Sequence, residues 1–152
     1  MSGKNAVGFG PCVLLALLAS PPASAGVVNG VLSQWNLQDK ECKDGQIDLG
    51  ARVNVGMFEA VNRIAGKYTP YLPGPAVRGT GSMEAAAASA AHDLLVALCP
   101  DQAEGFAGAL KSSLAEVKDA KARDAGAKVG KAAAAALLAA RADSGANVPD
   151  PL

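Results

Sequence analysis

The chain has 152 residues, enough for one domain. Its fourteen basic and fourteen acidic residues cancel, which excludes the one-signed charge by which a protein binds nucleic acid or a membrane surface. Half of the residues are apolar but only 4% are aromatic, so alanine supplies much of the apolar content and the expected anchors are few: Trp35, Phe58, Tyr68, Tyr71 and Phe106, with scattered Leu, Val and Ile.

Residues 1–25 read as an export signal. Lys4 gives a short positive start, Val13-Leu14-Leu15-Ala16-Leu17-Leu18-Ala19 a compact apolar stretch, and Ser20-Pro21-Pro22 a break before the cleavage site Ala23-Ser24-Ala25. That stretch falls far short of the ~20 residues that span a bilayer. The expectation is a cleaved signal, a periplasmic or secreted location and no membrane span afterwards. Cleavage removes Lys4 and no acid, leaving thirteen basic against fourteen acidic residues, a net charge of −1. Cys12 leaves with the signal. Cys42 and Cys99 remain, and an oxidising compartment allows them to form a disulfide. Closing the ~57-residue loop between them is worth roughly 4 kcal/mol in the chain-entropy account. The other reading is two unpaired thiols, with Cys99 buried at a helix end.

Residues 26–143 then form one helical domain, and 144–152 a tail with two prolines and a glycine. Val27, Val28, Val31, Leu32 and Trp35 fall on one face of a first helix. A second helix is expected over 46–65. Its two apolar stripes, Ile47/Ala51/Val55/Phe58/Val61 and Val53/Met57/Ala60/Ile64, predict burial from two sides. Glu59 and Arg63 sit one turn apart with the acid first, the favourable order, worth a few tenths of a kcal/mol. Gly66 is a natural helix stop, and the glycines and prolines of 67–81 make a loop.

Ser82 is placed as an N-cap with Glu84 in the first turn of a third helix, 83–99, which Pro100 ends. Asp101 and Glu104 have capping-box spacing before a fourth helix that runs to about 117, with Phe106, Leu110, Leu114 and Val117 as its stripe. The last helix, about 121–142, holds the alanine run 132–136, the residue of highest helix propensity. Gly126, Gly130 and Ala134 recur every four residues and allow a neighbouring helix to come close. No strand pattern competes, so the expected fold is all-α, a bundle of about five helices.

The missing side chains are informative. His92 is the sole histidine. Ser89 one turn back could touch it, but no cleft or oxyanion hole is evident for a hydrolase built on that pair, and the adjacent Asp93 is expected to point off its face. His92, Cys42 and Cys99 lack metal-ligand spacing. Gly79-Thr80-Gly81-Ser82 lacks the lysine of a phosphate loop, although a helix start can hold an anion. No catalytic, cofactor-binding or metal-binding residue is assigned.

The segment GMFEAVNRIAGKYTPYL, residues 56–72, resembles the helix and loop near the start of bacterial vanadium-dependent haloperoxidase-like proteins, in the phosphatidic acid phosphatase type 2 superfamily. VVNGVLSQWN, EAAAASAAHDLLVALCPDQ and AKARDAGAKVGKAAAAALLAARADSGAN match further pieces in order, so the resemblance covers essentially all of 26–147. It implies the N-terminal half of a haloperoxidase-like fold, in which Tyr68, Pro70 and Tyr71 form a structural loop whose rings are buried with each hydroxyl wet or bonded. The family holds vanadate, or phosphate in its phosphatase relatives, with a lysine, two arginines, a Ser-Gly-His element and a second histidine, and these stabilise the oxyanion by preorganised electrostatics. This chain has no Arg-Pro, no Ser-Gly-His and one histidine. The resemblance therefore implies a non-catalytic part of such an enzyme, inactive alone and holding no cofactor itself, whose peroxide-dependent halide oxidation or phosphoester hydrolysis needs a C-terminal half. The alternative is a stand-alone exported module that binds a partner or forms a homo-oligomer through its small-residue face.

Overall fold

A computed structural model describes residues 34–35, 49–72 and 81–142. The expected signal, most of the first helix, Cys42 and the tail lie outside the described residues; Gln34 and Trp35 of the first helix are helical. The chain is all-α. Helix α1 spans Leu49–Ala65, α2 Met83–Leu98, α3 Ala103–Ala115 and α4 Ala120–Arg141, with a 3-10 turn at Pro100–Gln102.

The bundle is organised around α2, which packs against α1, α3 and α4, while α1 also packs against α4. The cause is in its sequence. Every residue from Ala85 to Ala91 is buried, and a helix that is apolar around its whole circumference has no face to give to water. Alanine alone buries little area, so the larger contributions come from Leu94, Leu95 and Leu137, with Met57, Trp35 and Phe106 packed into the same cluster. A fully buried Leu, Phe or Met contributes roughly 1.5–3 kcal/mol.

The small-residue repeat of α4 is spent inside the chain. A Cβ on Gly126 would collide with the Ser82 carbonyl oxygen, and one on Gly130 with the Ala86 carbonyl oxygen. Gly126, Gly130 and Ala134 are all buried. The backbones come so close that the Ser82 N–H donates to the Ala122 carbonyl at 2.8 Å. Dispersion scales with close approach, so this crossing recovers in contact what alanine lacks in area.

Several boundaries match the expectation. Ser82 caps α2, its Oγ accepting from the Ala85 N–H at 3.0 Å and donating to Glu84 at 2.7 Å. At the α2 start the Ala85 N–H is thus taken by the Ser82 hydroxyl and the Ser82 N–H by Ala122 of α4. Cys99 follows α2 as its C-cap and is disulfide-bonded; its partner lies outside the described residues. Two expectations fail. The Asp101/Glu104 box does not form, because Pro100–Gln102 takes a 3-10 turn and α3 begins without a side-chain cap. The first α1 stripe is not buried: Ala51 and Phe58 are exposed and Val55 and Val61 only half-buried. The reason is that α2 and α4 share one arc of α1, where Val53, Gly56, Met57, Glu59 and Ala60 are buried. Ile47 lies outside the described residues.

Candidate functional site

The feature with the densest specific contacts is the turn that leaves α1. Gly66 ends the helix at φ 62°, the left-handed conformation that glycine adopts without Cβ strain. Its N–H bonds the Asn62 carbonyl at 2.7 Å. The Asn62 side chain then takes both backbone groups of one residue. Its Nδ2 donates to the Tyr68 carbonyl at 2.8 Å and its Oδ1 accepts from the Tyr68 N–H at 2.9 Å. One buried amide thereby fixes the register of the chain six residues on.

Glu59 fixes the other end. Its Oε1 accepts from the Tyr71 N–H and, at 3.3 Å, from the Leu72 N–H. Two successive N–H groups form a concave anion site, and here the anion is the protein's own carboxylate. Glu59 is fully buried. Its Oε2 has no hydrogen-bond partner, yet Arg63 Nε stands 3.7 Å away. That separation is too long for a hydrogen bond but short enough for Coulombic attraction inside a protein. The i, i+4 pair is thus a buried clamp on the loop. Leu72, just beyond it, is buried in the main core.

The rings do the opposite of what the sequence suggests. Tyr68 is 68% exposed, Tyr71 55% and Phe58 40%. Phe58 and Tyr68 lie with ring centroids 6.1 Å apart and planes tilted by 41°. The loop is locked through its backbone by Glu59 and Asn62, so its rings are free to face outward, and none of the three is a core anchor. Pro70 is exposed between the tyrosines. From α4, Arg141 Nη2 donates to the Tyr71 hydroxyl at 3.2 Å. Sequence reasoning placed the loop but missed Glu59, Asn62 and Arg141. The available signal was Glu59 and Asn62 one turn apart just before a glycine stop.

The remaining candidate residues are not brought together. His92 Nδ1 meets Asp93 Oδ1 at 2.7 Å, so Asp93 turns back onto its neighbour instead of pointing away. Ser89 Oγ is buried with no hydrogen-bond partner, pressed where α2 crosses Gly130, and makes no bond to His92. Among the described residues no three His, Cys, Asp or Glu side chains are placed to hold a metal ion. Arg63 faces Glu59, Arg141 faces Tyr71, and His92 faces Asp93. No described helix is long and apolar enough to cross a membrane. No family model, curated protein or solved structure matches the chain.

Proposed function

We propose that this chain is the non-catalytic, N-terminal helical scaffold of an exported vanadium-dependent haloperoxidase-like or acid-phosphatase-like protein. The oxyanion chemistry belongs to a part that carries the second histidine. One observation supports the reading. The two segments that carry the resemblance, Phe58-Glu59-Ala60-Val61-Asn62 and Tyr68-Thr69-Pro70-Tyr71-Leu72, are a single device in which Glu59 and Asn62 of the first hold the backbone of the second. A shared motif whose members touch is better support than shared alanine. The scaffold's task is to present the Tyr68–Tyr71 turn rigidly at the surface. The test is the intact mass of the native product in the exported fraction, with peptide sequencing. A larger polypeptide that contains residues 26–152 and a Ser-Gly-His element supports the reading. A native product of residues 26–152 alone refutes it.

The stand-alone module is the second reading, and the exposed aromatics favour it. Gly126, Gly130 and Ala134 already pack within the chain, so such a module would meet its partner through Phe58, Tyr68 and Tyr71. Defined, concentration-dependent association in analytical ultracentrifugation, abolished by Phe58→Ala, would support it.

A further inference from the structure

We propose that two copies of this chain pair through the outer face of α1, antiparallel about a two-fold axis that passes beside Phe58. The inference rests on the second reading above and names what meets the exposed rings. The outer side of a surface helix is ordinarily charged, and that of α1 is not. Of its three charged residues, Arg52 and Glu59 are buried, and the Arg63 side chain is 10% exposed and faces Glu59. Up to Phe58, α1 turns outward Ala51, Asn54 and Phe58, with Val55 half-buried beside them. One turn further on, Asn62 is buried and holds both backbone groups of Tyr68, so the exposed Tyr68 ring continues the stripe. The clamp has already ordered this surface in the fold, which lowers the cost of binding there.

The occupant follows from spacing and chemistry. Asn54 lies one turn before Phe58, and Tyr68 is held at Asn62, one turn after it. The Phe58 and Tyr68 ring centroids are 6.1 Å apart, close to the ~5.4 Å of a helical turn. A two-fold axis beside Phe58 therefore sets Phe58 against its own mate and each Tyr68 over Asn54 and Val55 of the other copy, an isologous contact. The polar atoms match as well. Asn54 Nδ2 donates to the Gly50 carbonyl at 2.8 Å, which leaves its Oδ1 to accept from the Tyr68 hydroxyl of the mate. A foreign partner would have to supply an apolar centre with a donor on one side and an acceptor on the other at the same spacing. This face supplies both halves itself. Without charge it neither repels its own copy nor recruits an ionic partner. One face of a 17-residue helix, about 25 Å long and 10 Å wide, falls below the ~800 Å² per partner of a stable complex, so the pair is a transient one.

The experiment is sedimentation equilibrium of the full chain up to about millimolar concentration, where a weak pair is still read. It compares wild type, Phe58→Ala, Asn54→Lys, Tyr68→Glu and an equimolar mixture of the last two, with helicity checked by circular dichroism. All three positions are exposed, and the Glu59 and Asn62 clamp is untouched. Each variant is expected to weaken association about tenfold, the loss of a central aromatic anchor or of its flanking bond. The mixture sets one lysine against one glutamate across the axis and restores the original contact at the other end. Its association should return to within about threefold of wild type, which reads the coupling between the two positions. Recovery also shows that both variants are folded, and no pairing within one copy produces it. A wild type that stays monomeric overturns the proposal together with the self-association that the second reading predicts. Association that Phe58→Ala abolishes but the mixture does not recover overturns the antiparallel pair alone.

Discussion

Replacing Asn62 by aspartate changes one amide nitrogen to oxygen and creates no cavity, so it isolates the clamp's hydrogen bonding. Asn62 is only 4% exposed. In Asn62→Asp one carboxylate oxygen can still accept from the Tyr68 N–H, but the other would face the Tyr68 carbonyl, which Nδ2 now approaches to 2.8 Å. Losing the net bond costs about 1 kcal/mol, and leaving a buried acceptor unpaired about 1–3 kcal/mol more. The expected loss near neutral pH is about 3 kcal/mol, or roughly 9 °C in Tm for a chain of this size. The buried negative charge of Glu59 one turn earlier acts in the same sense. Once protonated, the introduced carboxyl could again donate to Tyr68, so the fold raises it above the ordinary aspartate value. The folded variant then binds more protons than the unfolded one, and its stability rises as pH falls through the folded-state value. Urea unfolding of wild type, Asn62→Asp and Asn62→Ala at about pH 7 and about pH 5 reads this directly. The deficit of the aspartate variant relative to wild type should shrink at the lower pH, and that of the alanine variant should not. An aspartate deficit that is equal at both values, or below about 0.5 kcal/mol, would refute the clamp as the loop's main restraint.

The other predictions use the same assay. Glu59→Ala leaves the Tyr71 and Leu72 N–H groups without their acceptor and should cost about 3 kcal/mol, while Glu59→Gln keeps an acceptor and should cost about 1 kcal/mol; equal losses would show that the charge alone matters. Gly130→Ala must push its new methyl into the Ala86 carbonyl and should cost about 1–3 kcal/mol, whereas Gly108→Ala, with nothing within 4 Å, should stabilise α3 by about 0.5–1 kcal/mol. A non-reducing peptide map should join Cys99 to Cys42, and Cys99→Ser should lower stability by roughly 4 kcal/mol; a peptide joining Cys99 to Cys12 would overturn both the pairing and the cleaved signal.

The helices of this chain were legible from local signals, because those signals are local physics. Ser82 and Gly66 sit where the sequence places a cap and a stop, since each acts within a few residues of itself. The repeat Gly126/Gly130/Ala134 foretold a close crossing, and α2 was its partner because six of the seven residues from Ala85 to Ala91 are alanine. What the sequence did not disclose was direction. Phe58 and Met57 are adjacent, equally apolar and both on stripes with helical spacing, yet one is exposed and the other buried. Periodicity counts stripes but cannot tell how much of a helix its neighbours will cover.

The candidate site failed to show in the sequence for a related reason. Glu59 and Arg63 have the spacing of an ordinary surface pair, and nothing local distinguishes a carboxylate that faces water from one that faces a returning backbone. The distinction arises thirteen residues after Glu59, when Leu72 enters the core and draws the Tyr71 and Leu72 N–H groups inward. Buried N–H groups need an acceptor, and the nearest one on α1 is Glu59. Burial of Leu72 thus places a charge in the interior, and Arg63 at 3.7 Å offsets part of its desolvation. With the backbone held by Asn62 and Glu59, the tyrosine rings have no anchoring role inside. Their exposure is therefore a consequence of the clamp, and any surface that covers them is selected for binding rather than for folding.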